Sequence, residues 1–266
     1  MTNIQTQDKV TKRREGHVLA IGVNRPEKKN AFDVDVLRGL ALAYAELAAD
    51  PELRCGVLHG HGADFTAGLD LASVAPIIAR GDGATILPEG GIDPWGVQTP
   101  PCPKPIVVAV QGRCLTLGIE LILASDICIA ADDVSFAQIE IKRGIFPFGG
   151  ATLRMPAAFG WQNAMRYLLT GDAFDASEAY RLGLVQEIVP AGTQFDRAMS
   201  LAATIAEQSP LGVYATLESA RATVREGFTA AADALAPKIA SLFNSEDAKE
   251  GLRSFLERRP AKFEGR

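Results

Sequence analysis

One acidic residue stands where an acid is costly, and a second follows it. Glu120 interrupts the apolar segment Ile119–Leu123, and Glu140 follows twenty residues later. A carboxylate inside an apolar run is expensive unless it is paired or functional. Two carboxylates around one water suit general acid–base chemistry, because mutual repulsion keeps one of them partly protonated. Plainer readings stand beside this one: an ion pair of Glu140 with Lys142 or Arg143, and an exposed helix position for Glu120. The backbone offers a second kind of chemistry. In Ala63-Asp64-Phe65-Thr66-Ala67-Gly68-Leu69-Asp70-Leu71, Gly68 permits a tight turn and Asp70 can cap a following helix. In Gln111-Gly112-Arg113-Cys114-Leu115-Thr116-Leu117-Gly118-Ile119-Glu120 a strand again ends at glycine and an apolar helix begins. Free N–H groups at such a helix start attract developing negative charge. Each turn taken singly says little, since any α/β protein has glycine turns before helices.

These residues need a scaffold, and the hydrophobic pattern supplies one. Short β-branched runs predict strands over His17–Val23, Gly56–His59, Pro105–Val110 and Ile127–Ala130, with a later one over Leu184–Val189. Between them, Leu37, Leu40 and Leu47 stripe a helix over Val34–Ala49. Strands alternating with helices predict a parallel-rich sheet built from crossover units. Residues 73–104, dense in glycine and proline, read as an irregular excursion. From Asp196 onward the pattern is helical: Arg197–Glu207, Leu211–Arg225, Thr229–Phe243 and Glu246–Arg258. The expected division is a polar tail over 1–16, an α/β core over 17–195 and a helical module over 196–266.

Composition narrows the function. The chain has 266 residues, 47% of them apolar, enough for a sizeable core. A net charge of −5 argues against nucleic acid as the main partner. No apolar run is long enough to span a bilayer, and the N-terminal residues lack the apolar core of a secretory signal, so a cytoplasmic protein without membrane partners is expected. The four cysteines form no C-x-x-C pair and read as buried thiols, and His59-Gly60-His61 reads as a turn after a strand rather than a metal site. No G-x-S-x-G elbow, phosphate-binding G-x-x-x-x-G-K-[ST] loop or dinucleotide G-x-G-x-x-G is present.

Read together and in order, the loops resemble one family. Asn24-Arg25-Pro26 with Asn30-Ala31 is similar to an N-R-P-x-x-x-N-A motif, and Phe65 to Leu71 to F-S-A-G-x-D-[LI]. Gly118-Ile119-Glu120-Leu121 through Asp126-Ile127 is similar to G-x-E-L…x-D-[IL]. Phe136 to Ile141, with Gly144, Pro147, Gly150 and Arg154, resembles the F-x-x-P-E block. Thr170-Gly171-Asp172 through Val185, and Phe255 to Phe263, fit the remaining blocks. The match runs from about residue 17 to the end and resembles the crotonase (enoyl-CoA hydratase/isomerase) family.

The resemblance implies a crotonase-like core of two packed sheets with flanking helices, and a helical C-terminal trimerisation module. It implies an acyl-CoA substrate, hydration of a trans-2-enoyl-CoA, and no metal or redox cofactor. Glu120 and Glu140 match the paired catalytic glutamates. The N–H groups of Leu69 and Leu117 match the oxyanion hole, with Leu117 needing a less permissive φ than the family's glycine. Coenzyme A is expected along Ala67, Leu69, Asp70 and Leu71, with Lys28 and Lys29 as candidates for its phosphates. Ala72 stands where a lysine is common. Lys262 and Phe263 are expected to reach a neighbour's ligand within a homotrimer or a dimer of trimers. Phe148 takes a position where glycine is common and either fills the acyl pocket or packs into the core; Trp95 is a further candidate for that wall. A Δ3–Δ2-enoyl-CoA isomerase and a non-catalytic binding or scaffold protein are the competing expectations.

Overall fold

The structure, a computed structural model, describes residues 8–266. In chain order it runs β1 (Val10–Glu15), β2 (Val18–Val23), α1 (Val34–Ala49), β3 (Cys55–Gly60), α2 (Leu71–Ala79), β4 (Ile106–Val110) and β5 (Arg113–Leu115). It continues with α3 (Leu117–Ala124), β6 (Ile127–Ala131), β7 (Ser135–Ala137), α4 (Ala151–Phe159), α5 (Trp161–Thr170), β8 (Ala173–Asp175), α6 (Ala176–Arg181) and β9 (Glu187–Val189). Helices α7 (Gln194–Ala206), α8 (Pro210–Glu226), α9 (Phe228–Asp233), α10 (Leu235–Phe243) and α11 (Glu246–Glu257) complete it.

One sheet has the order β1-β2-β3-β4-β6-β9 and the other β5-β7-β8. From β2 to β9 the larger sheet is parallel, in a register that aligns Ile21, Leu58, Val108 and Cys128 on one face. That face joins Phe65, Cys114, Ile119, Phe136 and Phe174 in the main core. The opposite face, with Val57, Val107 and Ile129, is covered by Ala198, Ala202 and Ala206 of α7. Alanines four residues apart share one side of a helix and let it approach the sheet closely. Helix α7 therefore packs with the core, whereas the sequence division at 195/196 placed it with the helical module. All four cysteines are buried and free.

The sequence reading is corrected at three further places. Residues 10–15 are a strand rather than part of a tail: β1 pairs antiparallel with β2 from Val10↔Val23 to Glu15↔Val18. Charged side chains on an edge strand obscured it; Lys12 pairs with Glu46, and Arg14 with Asp50 at 3.0 Å. Residues 1–7 of the expected tail lie outside the described residues. The excursion at 73–104 is partly helical, with α2 at its start and Pro76 inside that helix. The single helix expected over Thr229–Phe243 is split at Ala234, where Pro237 would clash with the carbonyl four residues earlier.

Candidate active site

The carboxyl ends of parallel strands gather the loops that carry the candidate residues, as open α/β sheets generally do. Asn30 braces the first of these loops. It is fully buried, accepts from the Arg25 N–H at 2.8 Å and donates to the carbonyls of His61 and Asp64, each at 2.7 Å. Thr66 Oγ1 donates to the Asn30 carbonyl at 2.7 Å. The N-R-P-x-x-x-N-A motif is thus a strut beneath the turn that ends at Leu69. The Asp70 carboxylate accepts from Arg25 Nη1 at 2.7 Å and makes no cap to α2, contrary to the expectation from sequence.

The second loop is bound to the first. Thr66 N–H donates to the Arg113 carbonyl at 2.9 Å, and Leu115 N–H to the Thr66 carbonyl at 3.1 Å. Gln111 Nε2 donates to the carbonyls of Gly60 and Gly62 at 2.8 and 3.1 Å. This brings Gly68 and Thr116 into contact: a Cβ on Gly68, whose φ is +88°, would lie 1.8 Å from Thr116 Oγ1. Only glycine fits there. The next residue on each side is Leu69 and Leu117, and neither N–H donates to another group among the described residues. The unusual backbone expected at Leu117 falls one residue earlier, at Thr116, with φ 52° and ψ −117°; Leu117 itself is the first residue of α3.

Glu120 lies one helical turn beyond Leu117 and is fully buried, which excludes the exposed helix position. Its Oε1 accepts from the Ala151 N–H at 2.9 Å, at the N-terminus of α4, while Oε2 has no partner among the described residues. Gly149 leaves room for that free oxygen; a Cβ there would come within 2.8 Å of it. Burial raises the Glu120 carboxyl above its ordinary range, opposed by N–H groups at the start of α4 and by the Arg154 charge.

Glu140 is 6% exposed and begins a short 3-10 turn, Glu140–Arg143. It forms no ion pair with Lys142 or Arg143 among the described residues. Its Oε1 accepts from Gln138 Nε2 at 3.2 Å, and its Oε2 has no partner among the described residues. Burial, chiefly, pushes its carboxyl up to about 7; its own N–H opposes this and the nearby Glu120 charge adds to it. The two glutamates therefore sit close enough to feel each other, and each keeps one unpartnered oxygen.

Two cavities flank this point. One of about 210 Å³ is apolar, lined by Leu37, Val74, Ile78, Ile86 and Trp95 among others. The other, of about 160 Å³, is lined by Ala67, Leu71, Thr116, Ile139, Glu140 and Arg143. Leu69, Leu117 and Phe148 line both and form the partition between them. Phe148, 40% exposed, belongs to this wall rather than to the core. Ala67, Leu69, Leu71, Leu117 and Glu140 are thus brought together as the sequence implied. Asp70 is not; its carboxylate is engaged by Arg25. Lys28 is exposed in the turn Pro26–Lys28, beside Lys29, whose carbonyl accepts from the Ala67 N–H at 2.9 Å. Lys262 and Phe263 line a separate groove with His17 and Arg54, at the amino end of β3. Within one chain they do not join the site.

Sequence reading gave four residues no supporting role, although it expected Trp95 in the pocket wall, and Trp95 does line the larger cavity. Trp95 Nε1 donates to the Leu117 carbonyl at 3.0 Å, and Arg154 donates to the Trp95 carbonyl at 2.8 Å. Gln138 holds Glu140, and Arg143 supplies a cation to the smaller cavity. Their signal in the sequence was weak: Trp95 and Arg154 act on residues far along the chain, and Gln138 and Arg143 depend on how the turn at Glu140 folds.

Comparison with known proteins shows the family. A family model for enoyl-CoA hydratase/isomerase matches residues 13–266, and the chain belongs to that family of enzymes. It is 56% identical to a crystal structure described as a probable enoyl-CoA hydratase/isomerase from Mycobacterium abscessus, covering 97% of this chain and 99% of that one with a TM-score of 0.95. Enoyl-CoA hydratase EchA19 of Mycobacterium tuberculosis is 32% identical over the whole of both chains. Carnitinyl-CoA dehydratase of Citrobacter koseri is 34% identical over 95% of this chain and 97% of its own.

Proposed function

We propose that the protein is an enoyl-CoA hydratase, adding water reversibly and syn to a trans-2-enoyl-CoA to give a 3-hydroxyacyl-CoA. The observation that carries this reading is the pair Glu120 and Glu140, buried together, each with one free oxygen beside two unengaged backbone N–H groups. The thioester oxygen sits between the N–H groups of Leu69 and Leu117, which stabilise it as enolate charge develops. Glu120, held at the N-terminus of α4 near the Arg154 charge, deprotonates the water as it attacks the β-carbon. Glu140, poised near neutrality, delivers a proton to the α-carbon. In the reverse direction the roles exchange, and the pair carries one proton in either direction. Addition of water involves no net electron transfer, so the reaction calls for no redox cofactor.

The acyl chain occupies the apolar cavity, and coenzyme A leaves past Ala67 and Leu71, with Arg143 and Lys28 as cations toward its phosphates. A homotrimer, alone or as a dimer of trimers, accounts for the exposed Phe228, Phe243, Phe255 and Leu256 on the last helices. It would also let Lys262 and Phe263 approach a neighbouring copy's ligand. No helix among the described residues is long and apolar enough to cross a membrane.

Product analysis tests the reaction. Incubation with a trans-2-enoyl-CoA should yield a 3-hydroxyacyl-CoA that is 18 mass units heavier, the mass of one water. Conversion between Δ3- and Δ2-enoyl-CoA without that mass gain would instead make the protein an isomerase, and no turnover would leave a binding protein.

A further inference from the structure

Thr116 is the residue that the proposed reaction does not yet use. Its φ of 52° and ψ of −117° place a β-branched side chain in a region that favours glycine. Its N–H donates to the Ala137 carbonyl at 3.0 Å, and its carbonyl accepts from Ile119 and Glu120 at 2.9 and 3.2 Å, so the backbone is held on both sides. The ψ of Thr116 sets the plane of the peptide that carries the Leu117 N–H. Relaxation to negative φ would turn that N–H away. The residue is 9% exposed, and its hydroxyl has no partner among the described residues. It rests on the bare Cα of Gly68, the residue before the other N–H donor, with Leu115 and Thr116 atoms enclosing the same spot.

We propose that Thr116 is a positioning residue for the oxyanion hole: its side chain is a wedge between the two turns, fixing the spacing of the Leu69 and Leu117 N–H groups at the expense of local backbone strain. Glycine would relieve the strain but leave the turns free to shift. Strain retained beside a reaction centre is expected where geometry matters more than stability. This inference rests on the proposed thioester site.

The test compares Thr116→Val, Thr116→Ser and Thr116→Gly in the full chain. Shape, rather than the hydroxyl, should govern the result. Valine should lose least, about two- to threefold in kcat, serine more, and glycine about tenfold to a hundredfold, short of the loss from deleting a donor outright. For glycine KM should change little, while Tm rises by a few degrees as strain is released. Binding of an aryl-conjugated enoyl thioester should red-shift its absorbance in the wild type, reporting carbonyl polarisation, and less so in Thr116→Gly. Wild-type kcat in Thr116→Gly would overturn the proposal. So would a large loss in valine with activity kept in serine, which would make the hydroxyl a direct ligand contact. An inactive wild type that gives no red-shift would instead remove the thioester reading on which the proposal rests.

Discussion

The indole N–H of Trp95 donates to the carbonyl oxygen of Leu117 at 3.0 Å, tying the glycine- and proline-rich segment to the first turn of α3. The Trp95 ring also meets Phe32 edge-on, with centroids 5.8 Å apart, so it is anchored on the core. Through this bond the segment helps to hold the turn whose N–H is proposed to face the substrate. Trp95→Phe keeps an aromatic ring and removes the donor. A lost hydrogen bond costs about 0.5–1.5 kcal/mol, so kcat/KM should fall by up to about tenfold, as steady-state kinetics would read. An unchanged value would show that the bond does not reach the reaction centre.

Legibility followed distance along the chain. The strand–helix alternation, α1 to its exact bounds, and the turns at Gly68 and before α3 were readable because local pattern specifies them. Glu120 stood out because an acid within Ile119–Leu123 has no local explanation. Contacts across the chain were not readable: Trp95 reaches a carbonyl 22 residues away and Arg154 one 59 residues away, while the short contact of Gln138 with Glu140 depends on the turn between them. Strain moved from Leu117 to Thr116 because a helix start fixes its first residue as helical and puts the turn just before it. Strand β1 was hidden because an edge strand with charged outward side chains carries the composition of a tail.

Stability should depend on pH through Glu140. Its carboxyl titrates at an ordinary 4.5 when unfolded and at about 7 when folded. The folded state therefore binds the extra proton between those values, and stability falls as pH rises from about 4.5 to about 7. Each unit corresponds to about 1.4 kcal/mol, so the whole effect is at most about 3.5 kcal/mol. Glu140→Gln removes the titration. Urea unfolding should find this variant more stable than the wild type at pH 8, with the advantage shrinking at pH 5. Parallel pH profiles for the two proteins would count against a raised carboxyl.

Chain-length selection should respond to Phe148, which separates the two cavities. Phe148→Gly should raise kcat/KM for a ten-carbon enoyl-CoA relative to a four-carbon one. A methylene in an apolar pocket discriminates by about 1–3 kcal/mol, so the ratio should move by tens to a few hundred-fold. A constant ratio with a lower melting temperature would make Phe148 a packing residue and place selection elsewhere.

The most direct measurement is loss of the conjugated absorbance band of a short enoyl-CoA, followed for the wild type, Glu120→Gln and Glu140→Gln, with thioester affinity measured in parallel. The wild type should consume the band, and each variant should lower kcat by about two to four orders of magnitude while still binding. Near-normal hydration by either variant, or no loss of the band with the wild type across chain lengths, would contradict a reaction shared between these two glutamates.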